Sequence, residues 1–131
     1  MVNIKFQYGE ISVDLRLERH LTVVVGDSGT GKTFLYEALP KEVDHRVVHK
    51  FTYGATLKYM IQEIKESHES LFVIDRTELI FCDALGGELK EAINSDVANT
   101  FLLFGRDIDG LDVRCENIKQ FKLVNNMLTF L

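Results

Sequence analysis

The sequence predicts an α/β domain with a mainly parallel central sheet, and two observations carry that expectation. Leu21-Thr22-Val23-Val24-Val25, Leu71-Phe72-Val73-Ile74 and Thr100-Phe101-Leu102-Leu103-Phe104 are near-continuous apolar runs, the pattern of strands covered on both faces. Between them Leu57, Met60, Ile61 and Ile64 recur at i, i+3, i+4 and i+7, the apolar stripe of a helix laid on a sheet. Strands that alternate with helices pair in parallel through right-handed crossovers.

The remaining elements follow in chain order. Ile4, Phe6 and Tyr8, then Ile11, Val13, Leu15 and Leu17, alternate with polar residues around Gly9-Glu10, which predicts a β-hairpin leading into the strand Leu21 to Val25. A short helix is expected from Thr33 to Leu39, stopped by Pro40, and a strand from Arg46 to Phe51. The helix stripe belongs to residues Ala55 to Lys65. A helical stretch from Thr77 to Leu85 is expected to break at Gly86-Gly87 and resume from Glu88 to Asn94. The chain ends in an expected hairpin, Ile118 to Val124 and Met127 to Leu131, joined by a type I′ turn at Asn125-Asn126. The two hairpins are expected to add antiparallel edges at the N- and C-terminal ends of the sheet.

With 131 residues the chain is read as a single domain, 1–131, with a modest core. A net charge of −5, and no Lys/Arg cluster, argue against a broad nucleic-acid surface. Cys82 and Cys115 are too few for a disulfide framework, and the N-terminus has no secretory pattern, so a cytoplasmic location is expected. No apolar run approaches the roughly 20 residues that span a bilayer, so no membrane partner is expected. His20, His45, His49 and His68 are dispersed without zinc-ligand spacing.

The chemistry concentrates in Gly26-Asp27-Ser28-Gly29-Thr30-Gly31-Lys32-Thr33, which meets every fixed position of the phosphate-binding loop GxxxxGK followed by Ser or Thr. Glycines let the backbone turn its N–H groups inward as an anion nest, and the next helix, with Phe34 in its first turn, presents its positive end. Lys32 is the cation for the β- and γ-phosphates. Thr33 supplies a hydroxyl to a Mg²⁺ that keeps most of its waters. In an open α/β sheet the ligand lies beyond the carboxyl ends of the strands, where Gly26, Asp75 and Arg106 are expected to emerge together.

The loop and the run Leu71 to Asp75 make the chain resemble the P-loop NTPases, in the division that holds the RecA-like, ABC and AAA+ ATPases. Small ATP-binding proteins of Gram-positive bacteria and their mobile elements share an Asp-Arg after the second strand, here Asp75-Arg76, and a later Arg-Asp, here Arg106-Asp107. The resemblance implies a three-layer P-loop NTPase fold, with Phe101 to Arg106 as the strand inserted between the Walker A and Walker B strands. It implies ATP and Mg²⁺ as cofactors, Asp75 as the Walker B carboxylate and Arg106 as the residue that senses the γ-phosphate. A strand-end carboxylate capping its own turn is the plainer account of Asp75, and a surface arginine that of Arg106.

The chain departs from active members at Arg76, where they carry the glutamate that polarises water. Glu78 is the substitute candidate for catalysis, against the plainer reading of a helix-start acid. Arg76 is read as pairing with an acid such as Asp107, or else as a cation near the γ-phosphate. Asp107-Ile108-Asp109-Gly110 holds the DxxG string of GTPases, without a guanine-reading motif. Three functions follow: a Mg-ATP-binding domain with slow or partner-dependent hydrolysis; a nucleotide-binding regulatory module without significant turnover; and, with least support, a small-molecule kinase. A protein partner or a homo-oligomer fits either of the first two.

Overall fold

In a computed structural model, residues 1–26, 31–106 and 117–131 are described. The elements in order are β1 (Val2–Tyr8), β2 (Ile11–Leu17), β3 (Leu21–Val25), α1 (Lys32–Ala38), β4 (Glu42–Val43), β5 (Arg46–Phe51) and α2 (Leu57–Glu66). They continue with β6 (Leu71–Ile74), α3 (Thr77–Ile80), α4 (Gly86–Ser95), β7 (Thr100–Gly105), β8 (Asn117–Lys119), β9 (Phe121–Val124) and β10 (Met127–Phe130).

A six-stranded sheet runs β4-β5-β6-β7-β3-β8. All its neighbours pair in parallel except β4, which is antiparallel to β5. Successive residues of its central strands divide between the two faces, as the pleat requires. Phe72, Ile74, Phe101 and Leu103 join Met60 and Ile64 of α2 and Leu89 and Ile93 of α4 in one core. Leu71, Val73, Leu102 and Phe104 enter a second core with Leu35 of α1 and Val2, Ile4, Val13 and Leu15 of β1 and β2.

That second core overturns the three-layer P-loop NTPase fold expected above. The terminal hairpins reach an edge of the central sheet only through β8, and there the pairing is parallel. Their remaining strands form a separate four-stranded sheet, β1-β2-β10-β9, whose halves join by a parallel pairing of Ser12 with Met127 and Val13 with Leu128. This mixed sheet packs, beside α1, on the face where a second helical layer was expected. The cause lies in the hairpin pattern: β1 buries Val2 and Ile4 while Asn3 and Lys5 stay exposed, and β2 buries Val13, Leu15 and Leu17 while Asp14 and Arg16 stay exposed. Such a ribbon is apolar on one side only, so it must lie flat on another layer. The product is a mixed α/β fold of two mixed sheets.

Smaller differences have local causes. The expected strand Ile118 to Val124 divides at Gln120: β8 pairs with β3 in the central sheet, and β9 pairs with β10 in the other. Asn125 and Asn126 both have positive φ, 52° and 60°, as the expected type I′ turn needs. Helix α3 is a single turn, and Gly86-Gly87 open α4 instead of interrupting a helix. A Cβ on Gly86 would lie 2.2 Å from the Phe81 carbonyl oxygen, so only glycine lets the two segments approach.

Candidate functional site

Strands β6, β7 and β3 are neighbours, and their carboxyl ends lie along one edge of the central sheet. Gly26 follows β3, Asp75 follows β6 and Arg106 follows β7. The Gly26 N–H donates to the Arg106 carbonyl at 3.2 Å. A cleft of about 300 Å³ opens there between α1 and α3. Lys32, Thr33, Asp75, Arg76, Glu78 and Arg106 line it, together with Leu79, Phe104 and Gly105.

Lys32 opens α1 and is buried; its ammonium donates to the carbonyl of Gly26 and, at 3.1 Å, to that of Gly105. It thereby ties the end of β3 to the end of β7. Its place depends on Gly31, whose φ of 106° a side chain would strain. A Cβ there would also meet Leu128 Cδ1 at 3.3 Å and Phe121 Cδ2 at 3.6 Å, so the end of the loop rests on the four-stranded sheet. Thr33 is exposed on the cleft. The Phe34 ring turns toward the hairpin and packs edge-on against Tyr8, centroids 5.8 Å apart.

Asp75 is held by its backbone, its N–H donating to the Phe51 carbonyl at 2.8 Å. Its Oδ1 accepts the Arg76 N–H at 2.9 Å. Arg76 adopts the left-handed conformation, φ 53° and ψ 49°, uncommon for a residue with a side chain. The next residue fixes the turn: Thr77 is buried, and its Oγ1 donates to the Phe104 carbonyl at 3.1 Å. Arg76 is left exposed at the rim while Glu78 is partly buried in the cleft wall. The Glu78 Oε2 is shut off from solvent and has no hydrogen-bond partner among the described residues.

Burial pushes the Asp75 carboxyl above its ordinary range. The Arg76 N–H and guanidinium oppose the shift, the charge of Glu78 adds to it, and the Lys32 ammonium opposes it. Burial likewise raises the Tyr36 phenol, with the charge of Asp75 adding to the effect. Tyr36 is therefore a neighbour of the site that the motif does not contain. Its one signal in the sequence is position, one helical turn after Lys32.

Asp27, Ser28, Gly29 and Thr30 of the loop lie outside the described residues, as do Asp107, the expected partner of Arg76, and the DxxG string. No protein-family model matches the chain, and no curated protein matches it. The site's own chemistry therefore carries the argument. Its donors are hard oxygens from Thr33, Asp75 and Glu78, which suit Mg²⁺. Among the described residues no group of three His, Cys, Asp or Glu could hold a metal ion. A donor set this sparse fits a cation that keeps waters and is completed by substrate phosphates.

Proposed function

We propose that this chain binds a Mg-nucleoside triphosphate, with ATP preferred, in the cleft at the ends of β3, β6 and β7, and turns it over slowly or only with a partner. The observation that carries this reading is the convergence on one cleft of Lys32 and Thr33, from the phosphate-loop pattern, with Asp75 from the following apolar strand. In this reading Lys32 exchanges its carbonyl partners for phosphate oxygens, while Thr33 and Asp75 hold the cation side. When bound, Mg²⁺ would neutralise phosphate charge and orient the β- and γ-groups. Arg106, exposed at the rim, is the residue in reach to read a terminal phosphate. A cleft of this size takes phosphates more readily than a whole nucleotide, being at the small end of small-molecule sites. The base then lies outside it.

A second reading, a nucleotide-held interaction module with negligible turnover, draws support from Arg76, an exposed cation in the position where a water-polarising carboxylate would be needed. Among the described residues no helix is long and apolar enough to cross a membrane. A cytoplasmic setting goes with the proposal, since the cytosol supplies Mg-ATP.

Calorimetric titration with Mg-ATP and Mg-GTP, in parallel with Lys32→Ala, tests the reading. Binding in the micromolar range by the wild type, weakened at least about 100-fold in the variant, is the expected result, about 2.7 kcal/mol. No binding by the wild type, or equal binding by both proteins, would overturn it. Phosphate release measured on the same samples separates slow turnover from none.

A further inference from the structure

Arg76 is an unusual residue for the backbone it occupies. Its φ of 53° and ψ of 49° lie in the left-handed region, which glycine and asparagine enter far more readily than a long side chain does. The other left-handed positions with side chains among the described residues lie away from the cleft. Asp44 with His45, and Asn125 with Asn126, are the two-residue turns of antiparallel hairpins, where positive φ is required. Glu69, with a φ of 53°, stands just before the amino end of β6, its N–H bonded to the Ala98 carbonyl. Arg76 stands past the carboxyl end of that same strand, in the lining of the cleft.

The turn asks nothing of the Arg76 side chain. The Arg76 N–H donates to Asp75 Oδ1 and its carbonyl accepts from Leu79 and Ile80 as α3 begins, bonds that a glycine makes equally well. The side chain makes no cap bond to α3, and among the described residues the guanidinium makes no ion pair. The strained turn therefore serves placement: it sets a permanent cation at the exposed rim, while Lys32 lies buried in the same cleft. A guanidinium presents a planar fork of donors that matches phosphate oxygens two at a time. It cannot take a proton from water.

We propose that Arg76 is a specificity residue of this cleft, taking the terminal phosphate of a bound triphosphate beside Arg106 and so separating triphosphate from diphosphate. In the nucleotide reading above, on which this inference rests, an arginine in the place of a water-activating acid suits recognition of the triphosphate more than rapid cleavage.

Calorimetry on the full chain, with Mg-ADP and with the Mg complex of a non-hydrolysable ATP analogue, compares wild type with Arg76→Gly, Arg76→Lys, Glu69→Gly and Lys32→Ala. Glycine suits both left-handed positions, so Arg76→Gly and Glu69→Gly should melt no lower than wild type. Arg76→Gly is expected to shrink the preference for the triphosphate at least about tenfold while affinity for the diphosphate stays the same, the low end of what a hydrogen bond to a charged group contributes. Arg76→Lys should keep part of the preference, since the charge remains without the fork. Glu69→Gly, which relaxes the other end of β6, should match wild type. A loss shared equally by both nucleotides in Arg76→Gly overturns the proposal. Uptake that Lys32→Ala abolishes but Arg76→Gly leaves with its preference intact overturns it too, and keeps the nucleotide reading. Wild type that takes up neither nucleotide discards both.

Discussion

The two faces of the central sheet are built from alternate residues of the same strands, yet they serve the cleft unequally. The face under α2 and α4 is tied by a row of rings across neighbouring strands: His49 stacks on Phe72 at 4.7 Å, Phe51 on Phe72 at 6.2 Å and Phe72 on Phe101 at 5.5 Å. Neither α2 nor α4 contributes a residue to the cleft lining. The opposite face holds α1, whose Lys32 and Thr33 line the cleft, and presses Leu128 and Phe121 of the four-stranded sheet against Gly31. The first face reaches the cleft through the single turn α3, whose Ile80 joins that core while Glu78 and Leu79 line the cleft; the other face connects the C-terminal hairpin to Gly31 and Lys32.

Phe72→Ala and Leu128→Ala break that comparison most directly. Phe72 is fully buried in the helical-face core, so its truncation should cost about 3–5 kcal/mol, a large share of the roughly 5–15 kcal/mol typical of a domain. The fraction that remains folded should bind nucleotide as wild type does. Leu128→Ala should cost about 2–5 kcal/mol and also weaken nucleotide binding, because the support under Gly31 is removed. Urea unfolding gives the first quantity, and calorimetry on the folded fraction gives the second. Equal affinity losses in the two variants would erase the distinction between the faces.

A finer probe lies in the paired glycines of the helical face. Gly86→Ala places a methyl 2.2 Å from a backbone oxygen that no rotamer change can move aside, which should cost about 1–3 kcal/mol. Gly87→Ala meets nothing within 4 Å and lies in the same helix, so it should stabilise by up to about 1 kcal/mol. Opposite signs at adjacent positions, read from thermal melts, would sharpen the account of how α3 and α4 are joined. Matching signs would refute it.

What could be read from residue order follows from how local each cause is. Strands β3, β6 and β7 announce themselves by apolar runs, α2 by its stripe, and the Asn125-Asn126 turn by its need for positive φ. The four-stranded sheet was not legible, because Ser12 and Val13 meet Met127 and Leu128 across nearly the whole chain and no local pattern encodes that pairing. At the site, motif spacing leads to Lys32, Thr33 and Asp75. Glu78 was open to two readings, since its orientation depends on the left-handed turn at Arg76 and on a bond from Thr77 to a strand distant in sequence. Tyr36 and the carbonyl partners of Lys32 are likewise matters of three-dimensional proximity.

The smallest expected effect concerns the cost of keeping Asp75 charged. Its carboxyl is raised in the folded state, chiefly by burial. A group whose folded value lies above its unfolded one favours folding most when protonated, so this contribution is present at low pH and is lost as pH rises through the folded value. At neutral pH the ionised Asp75 therefore works against stability, without a bound cation to balance it. Asp75→Asn should stabilise the metal-free protein at neutral pH, and the gain should shrink as the pH falls through the raised folded value and be gone below the ordinary carboxylate range. Because Asp75 is only half-buried, solvent screening keeps the gain small. Added Mg-ATP should reverse the order, raising the melting temperature of wild type but not of the variant. Melting curves across pH, with and without the nucleotide, follow both signs in one experiment. A variant less stable than wild type at neutral pH without ligand would mean that Asp75 holds the turn at Arg76 more than it strains the cleft.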